Sequence, residues 1–166
     1  MKAFFIDENN SLKSNIENLL KWCEKKEKNE ELGRTYFNNG ILEEKITKWE
    51  EENGVSIPKS YKDWLRFSEE CQIDGNTATF WGPDRFNSNY VPEDLVVIGE
   101  VIGDGEVVCF SKSKGEFVNY FEGSKKNERK NFAELLEDII DDKPILSQSR
   151  LQEILAQIAM KERENK

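Results

Sequence analysis

Histidine is absent from the 166 residues, which closes Ser-His-Asp and Cys-His nucleophilic catalysis and histidine-ligated zinc to this chain. What is left is the chemistry of carboxylates, lysines and phosphate-binding loops, and each needs its own constellation. In the run GDGE, Asp104 and Glu106 flank a glycine, with Glu100 just upstream. They could form a carboxylate pair or a small calcium site, but a calcium loop needs further oxygen ligands at alternate positions, and Val107 and Val108 follow at once. Glycosidase-type acids have only to meet in space, and no spacing here marks such a pair. GDGE is neither GxGxxG nor a loop ending in Gly-Lys-Ser/Thr, and its acids would repel phosphate. Cys23, Cys71 and Cys109 are odd in number and far apart, with no CxxC among them. They read as reduced thiols, Cys109 as a small core residue. No catalytic residue, metal ligand or cofactor site is predicted.

The residues that remain point to binding. Trp81, Asp84, Arg85, Phe86 and Tyr90 sit in or beside a loop opened by Gly82 and Pro83. Aromatics with flanking charge fit the anchors of a protein interface. The competing arrangement folds this loop back on its own sheet with Phe86 buried. Glu69, Glu70, Asp74, Asp84, Glu93, Asp94, Asp104 and Glu106 fall at the edges of the expected strands and turns, where they could meet a basic partner. The net charge of −9, from 33 acids against 24 bases, disfavours nucleic acid and anionic lipid and favours a basic protein; it also serves solubility alone. Lys125, Lys126, Arg129 and Lys130, after Gly123 and Ser124, read as a solvated loop or helix start.

Elements that would position these residues follow from apolar spacing. Leu12, Ile16, Leu19, Leu20 and Cys23 predict a helix from Ser11 to about Lys28, with Asn10 or Ser11 as its cap. A second helix, Ile41 to Asn53, carries Leu42, Ile46 and Trp49 and ends at Gly54. Pro58 suits the first turn of a third, running to about Glu70, with Tyr61, Trp64 and Leu65 facing the core. Strand character then takes over at Thr77 to Trp81, Leu95 to Ile102, Glu106 to Ser111 and Glu116 to Phe121, an antiparallel meander with a tight turn at Gly103 to Gly105. Asn131 to Asp141 predicts a helix covering the sheet, and Ser149 can cap a last helix bearing Leu151, Ile154, Leu155 and Ile158.

The length suits one domain. Met1 to Asn10 holds too short an apolar run for a signal-peptide core, and no run reaches the roughly 20 apolar residues of a membrane span. A cytoplasmic protein is expected.

The segment GVSIPKSYKDWLRF, then TFWGP, LVVIGEVIGDGEVVCF, GEFVNYF and NFAELLEDI, in this order over roughly Ile41 to Ile140, resembles the SUKH superfamily and its bacterial immunity-protein branch. Gly54, Ile57, Pro58, Tyr61 and Leu65 match its helix and "LP" start; Ile98, Gly99, Gly103, Asp104 and Gly105 match its strand and turn; Phe132, Leu135 and Leu136 match its closing helix. The resemblance implies a single α+β domain, an antiparallel-rich twisted sheet flanked by helices, with 1–40 an N-terminal elaboration, 41–143 the core, and 144–166 a C-terminal helix and frayed tail. It also implies an immunity-type protein that binds and neutralises a cognate toxin, a nuclease or another polymorphic toxin, by direct contact without catalysis or cofactor. A regulatory or scaffold module of the same fold is the alternative reading. A carboxylate hydrolase would need two acids of perturbed pKa in a concave site.

Overall fold

The computed structural model describes residues 4–75, 77–101, 105–141 and 148–165, with backbone alone over 148–151. Among these the elements run α1 (Lys13–Lys28), β1 (Tyr36–Phe37), α2 (Glu43–Asn53), α3 (Lys59–Phe67), β2 (Cys71–Ile73), β3 (Ala78–Phe80), a 3₁₀ turn (Pro83–Arg85), β4 (Leu95–Val101), β5 (Glu106–Ser111), β6 (Phe117–Phe121), β7 (Ser124–Arg129), α4 (Phe132–Ile140) and α5 (Gln148–Glu164). The seven strands form one antiparallel sheet in chain order, so the α+β class and the meander both hold.

The stripes of α1, α3 and α4 bury as their spacing requires, whereas Leu42, expected on the stripe of the second helix, caps α2 and is exposed, as are Leu155 and Ile158 of α5. Ile16, Leu19 and Cys23 of α1, Tyr61, Trp64 and Leu65 of α3, and Phe132, Leu135 and Leu136 of α4 are fully buried. They meet Ile73, Phe80, Ile98, Val108, Phe110 and Phe117 from one face of the sheet. Phe132 is the hub: its ring lies 5.0 Å from Tyr61, 5.1 Å from Phe80, 5.2 Å from Trp64 and 5.6 Å from Phe117, in tilted or edge-on geometries that aromatic pairs favour. The opposite face carries a smaller cluster of Trp81, Leu95, Val97, Cys109 and Val118, against which Phe86 and Val91 of the β3–β4 connection pack.

Helix ends depart from expectation in instructive ways. Gly54 takes the left-handed conformation, φ 63°, and terminates α2 as predicted. Pro58 occupies the cap position rather than the first turn of α3. Asn10 and Ser11 are not the cap of α1, a position held by Leu12. Asn10 instead accepts from the Leu12 backbone and donates to the Asp63 carbonyl, each at 2.9 Å, while the Ser11 hydroxyl donates to the Asp63 carboxylate. Their polar groups tie the entry of α1 to α3. The third helix stops at Phe67, short of Glu70, because residues 69 and 70 pair with the 38–39 segment: the Glu69 N–H donates to the Asn39 carbonyl at 3.0 Å, and the Glu70 carbonyl accepts from Asn38 at 2.9 Å. Ser149 lies inside α5 and does not precede it.

Two short strands, β1 and β2, went unread because two or three residues carry no periodicity. The Lys125–Lys130 run is a correction of another kind. Lys125, Lys126 and Arg129 lie in β7, turned back from β6 through Glu122 (φ 46°) and Gly123 (φ 83°), and Lys130 follows the strand. Arg129 is 6% exposed and not solvated: it donates to Asp138 of α4 at 3.0 Å and to Asn119 of β6 at 2.9 Å. The hairpin of β4 and β5 is present, with Val101 opposite Glu106 and Gly105 at φ 104°, whereas the rest of its turn, Ile102 to Asp104, lies outside the described residues. In β4 the register shifts between Val97 and Gly99. At Gly99 a Cβ would fall 2.4 Å from the Thr79 carbonyl oxygen and 2.6 Å from the Phe80 ring, so only glycine lets β3 and β4 approach there.

A candidate protein-interaction site

The β3–β4 connection is positioned by backbone anchors at both ends. At its start the Tyr61 hydroxyl, buried in the core, donates to the Trp81 carbonyl at 2.6 Å, and the Trp81 N–H donates to the Ile98 carbonyl at 2.9 Å. Farther on, the Val97 N–H donates to Asn87 at 2.7 Å and the Ser88 hydroxyl to the Leu95 carbonyl at 2.6 Å. Asp94 closes the segment by accepting from the hydroxyls of Ser111 at 2.6 Å and Ser113 at 3.0 Å. The hydrogen bonds from these serines hold the Asp94 carboxyl below the ordinary carboxylate range, with Lys125 adding to the effect. A loop fixed at this many points presents its side chains with little ordering left to do on binding.

Where α2, the end of α3 and the 3₁₀ turn converge, a recess of about 240 Å³ is lined by Asn38, Lys45, Glu69, Glu70, Trp81, Gly82, Asp84 and Arg85. Five predicted contact residues, Glu69, Glu70, Trp81, Asp84 and Arg85, thus come together from two stretches of chain. Lys45 lies between two acids, 2.8 Å from Glu69 and 3.0 Å from Asp84, and hydrogen bonds to these two acids raise its pKa. Arg85 donates to Glu70 at 2.8 Å and sets its guanidinium 4.3 Å from the centre of the Trp81 ring, within cation–π range. Three carboxylates therefore face two cations. Gly82 keeps the floor close, since a Cβ there would stand 2.9 Å from Glu69 Cγ. Trp81 is 6% exposed, and its indole N–H, like that of Trp22 on α1, has no acceptor.

The other predicted residues separate. Tyr90 is fully exposed and holds φ 62°, a backbone region sparsely used by bulky residues. Phe86 is half-buried, 5.3 Å from Trp49 and 6.0 Å from Phe110, as the folded-back arrangement of the loop requires. Glu93 is exposed and does not line the recess. Asp74 lies away from the recess in the β2–β3 turn, where it accepts from the Gly33 N–H at 2.6 Å. Glu106 is fully buried in β5 and has no surface to offer a partner, because the strand that the GDG turn launches is covered from its first residue. Asp104 lies outside the described residues. Lys45 and Asn38 went unread; on the polar side of α2 and beside a two-residue strand, they carried no mark until the chain closed on Glu69 and Asp84.

Among the described residues no cluster of three or more Cys, Asp or Glu could hold a metal ion, and no helix is long and apolar enough to cross a membrane. No curated protein matches the chain. The model of the SMI1 / KNR4 family (SUKH-1) matches residues 40–142, a span that opens just before α2, contains every residue lining the recess except Asn38 and the whole sheet from β2 to β7, and closes after α4. With more than half of the sequence under that match, the chain belongs to the SMI1 / KNR4 family (SUKH-1).

Proposed function

We propose that this protein is an immunity-type inhibitor that binds a cognate cytoplasmic toxin and neutralises it by direct contact. Family membership supports a protein partner. The observation that carries the reading is the charged recess beside Trp81, lined in part by exposed Asp84 at the start of a braced loop that also carries the fully exposed Tyr90. Large aromatics and arginine set on a rigid frame are the residues that dominate binding energy at interfaces. A net charge of −9 suits a basic toxin, whose approach it would accelerate. The protein works by occupancy, with no turnover and no cofactor. The segment before residue 41 and the helix after residue 144 are additions to the family core, the first of them sharing the main hydrophobic core through Leu12, Ile16 and Leu19.

The test is capture from lysate of the source cell with the full chain as bait, identification of what is retained at low and moderate salt, and expression of the captured protein alone. Immunity requires that the captured protein arrest growth and that co-expression of this chain restore it. A retained partner that is harmless when expressed would overturn immunity in favour of a regulatory module of the same fold, and an empty bait would count against stable direct contact.

A further inference from the structure

We infer that the recess beside Trp81 is a slot for a lysine or arginine side chain of the partner protein, with an acceptor from the same partner segment taking the indole N–H. Two independent features converge on this. The first is charge: Glu69, Glu70 and Asp84 supply three carboxylates against Lys45 and Arg85, so the lining is net anionic with both cations present. Each carboxylate engages its resident cation through a single oxygen, Glu69 by Oε1, Glu70 by Oε1 and Asp84 by Oδ2, which leaves a second oxygen on each for an incoming donor. The two resident cations are displaceable, because Lys45 and Arg85 are 37% and 51% exposed, and ion pairs in such surroundings contribute little net stability. An arriving cation can therefore replace one of them at low cost, and the face of Trp81 on which Arg85 rests suits a guanidinium or ammonium equally.

The second feature is the indole. Trp81 is more than nine-tenths buried and lines the recess, yet its N–H donates to nothing. A buried donor without an acceptor is a cost that a partner can remove. Neither resident cation can remove it, since both are donors. A peptide segment can serve both needs at once, its basic side chain reaching the carboxylates and a carbonyl accepting from Trp81. A carboxylate-bearing side chain would meet the indole and the cations but would add a fourth negative charge to the slot.

The assignment rests on reading this surface as a protein contact, and not on the partner being a toxin. The full chain, labelled with ¹⁵N, has four indole resonances, from Trp22, Trp49, Trp64 and Trp81; Trp81→Phe identifies the last. Titration with acetyl-Gly-Arg-Gly-amide is expected to move the Trp81 resonance saturably, with a Kd on the order of 1 mM as fits a single inserted side chain. Acetyl-Gly-Glu-Gly-amide is expected to leave it in place. Glu70→Gln with Asp84→Asn should weaken the arginine response at least about fivefold, while the other three indole resonances stay where they were and report an intact fold. A Trp81 resonance unmoved by the arginine peptide, moved equally by the glutamate peptide, or moved equally in the double variant would overturn the assignment. Loss of the peptide response with toxin capture intact removes only the slot, and a peptide response without any captured toxin removes only the immunity reading.

Discussion

Single residues carry the clearest energetic consequences. All three cysteines are buried, and burial pushes the thiols of Cys23 and Cys109 up to about 12 and that of Cys71 higher still. Thiolate is the reactive form. The native protein should therefore resist iodoacetamide at neutral pH and take up three equivalents once unfolded, measured by intact mass; rapid labelling of any cysteine in the native state would contradict its placement. Asp63 titrates the other way. Burial alone would push its carboxyl up, but hydrogen bonds from Ser11, Lys59 and Arg66 outweigh burial and hold it below the ordinary carboxylate range. A carboxyl that binds its proton less readily folded than unfolded stabilises the fold above the unfolded value of about 4, and that contribution fades as the pH falls through the lower folded value. Asp63→Asn should lower the melting temperature at pH 7 and flatten its decline in acid, with the variant and parent converging near pH 2. That no histidine could serve catalysis was plain in the sequence, as were Tyr61 and Trp64 as core residues; that Asn10 and Ser11 spend their polar groups on Asp63, more than fifty positions away, was not, because no local pattern encodes a tertiary partner.

At the level of elements, long stripes were legible and short ones were not. α1, α3 and α4 repeat their apolar residues over several turns, and β4, β5 and β6 combine apolar runs with turn residues. β1 and β2 exist only because neighbours pair with them, and β7 was hidden by its charges, which belong to an edge strand with mostly exposed side chains. The recess was legible in its two halves, the acids at 69 and 70 and the loop from 81 to 85, while their union depends on where α3 stops. Gly99 gives this level its test. Gly99→Ala forces a methyl against the Thr79 carbonyl and the Phe80 ring, so the β3–β4 pairing must shift; overpacking of this kind costs roughly 1–3 kcal/mol, read as a lower denaturant midpoint at unchanged slope. Gly82→Ala, whose tight contact is with the Glu69 side chain while the Glu69 carbonyl oxygen stays at an ordinary 3.5 Å, should cost less.

On the scale of the whole molecule, charge and topology decide behaviour. The anionic field belongs to association: Glu70→Lys with Asp84→Lys should slow binding of the captured partner about tenfold or more at low salt, and added salt should narrow the gap to the parent, as surface plasmon resonance would show. A salt-independent gap would point to lost packing instead. The sheet ends in two open margins, β1 with two residues and β7 with six. A free strand margin is a template on which a second unfolded or misfolded copy can grow, and the longer one here displays Lys125 and Lys126, with Asn127 at φ 53° bending the line of the backbone. Charge on such a margin disfavours edge-to-edge pairing. Lys125→Thr with Lys126→Val should leave the fold standing and shorten the time to light scattering when the concentrated protein is warmed, as expected of a strand margin stripped of its charge.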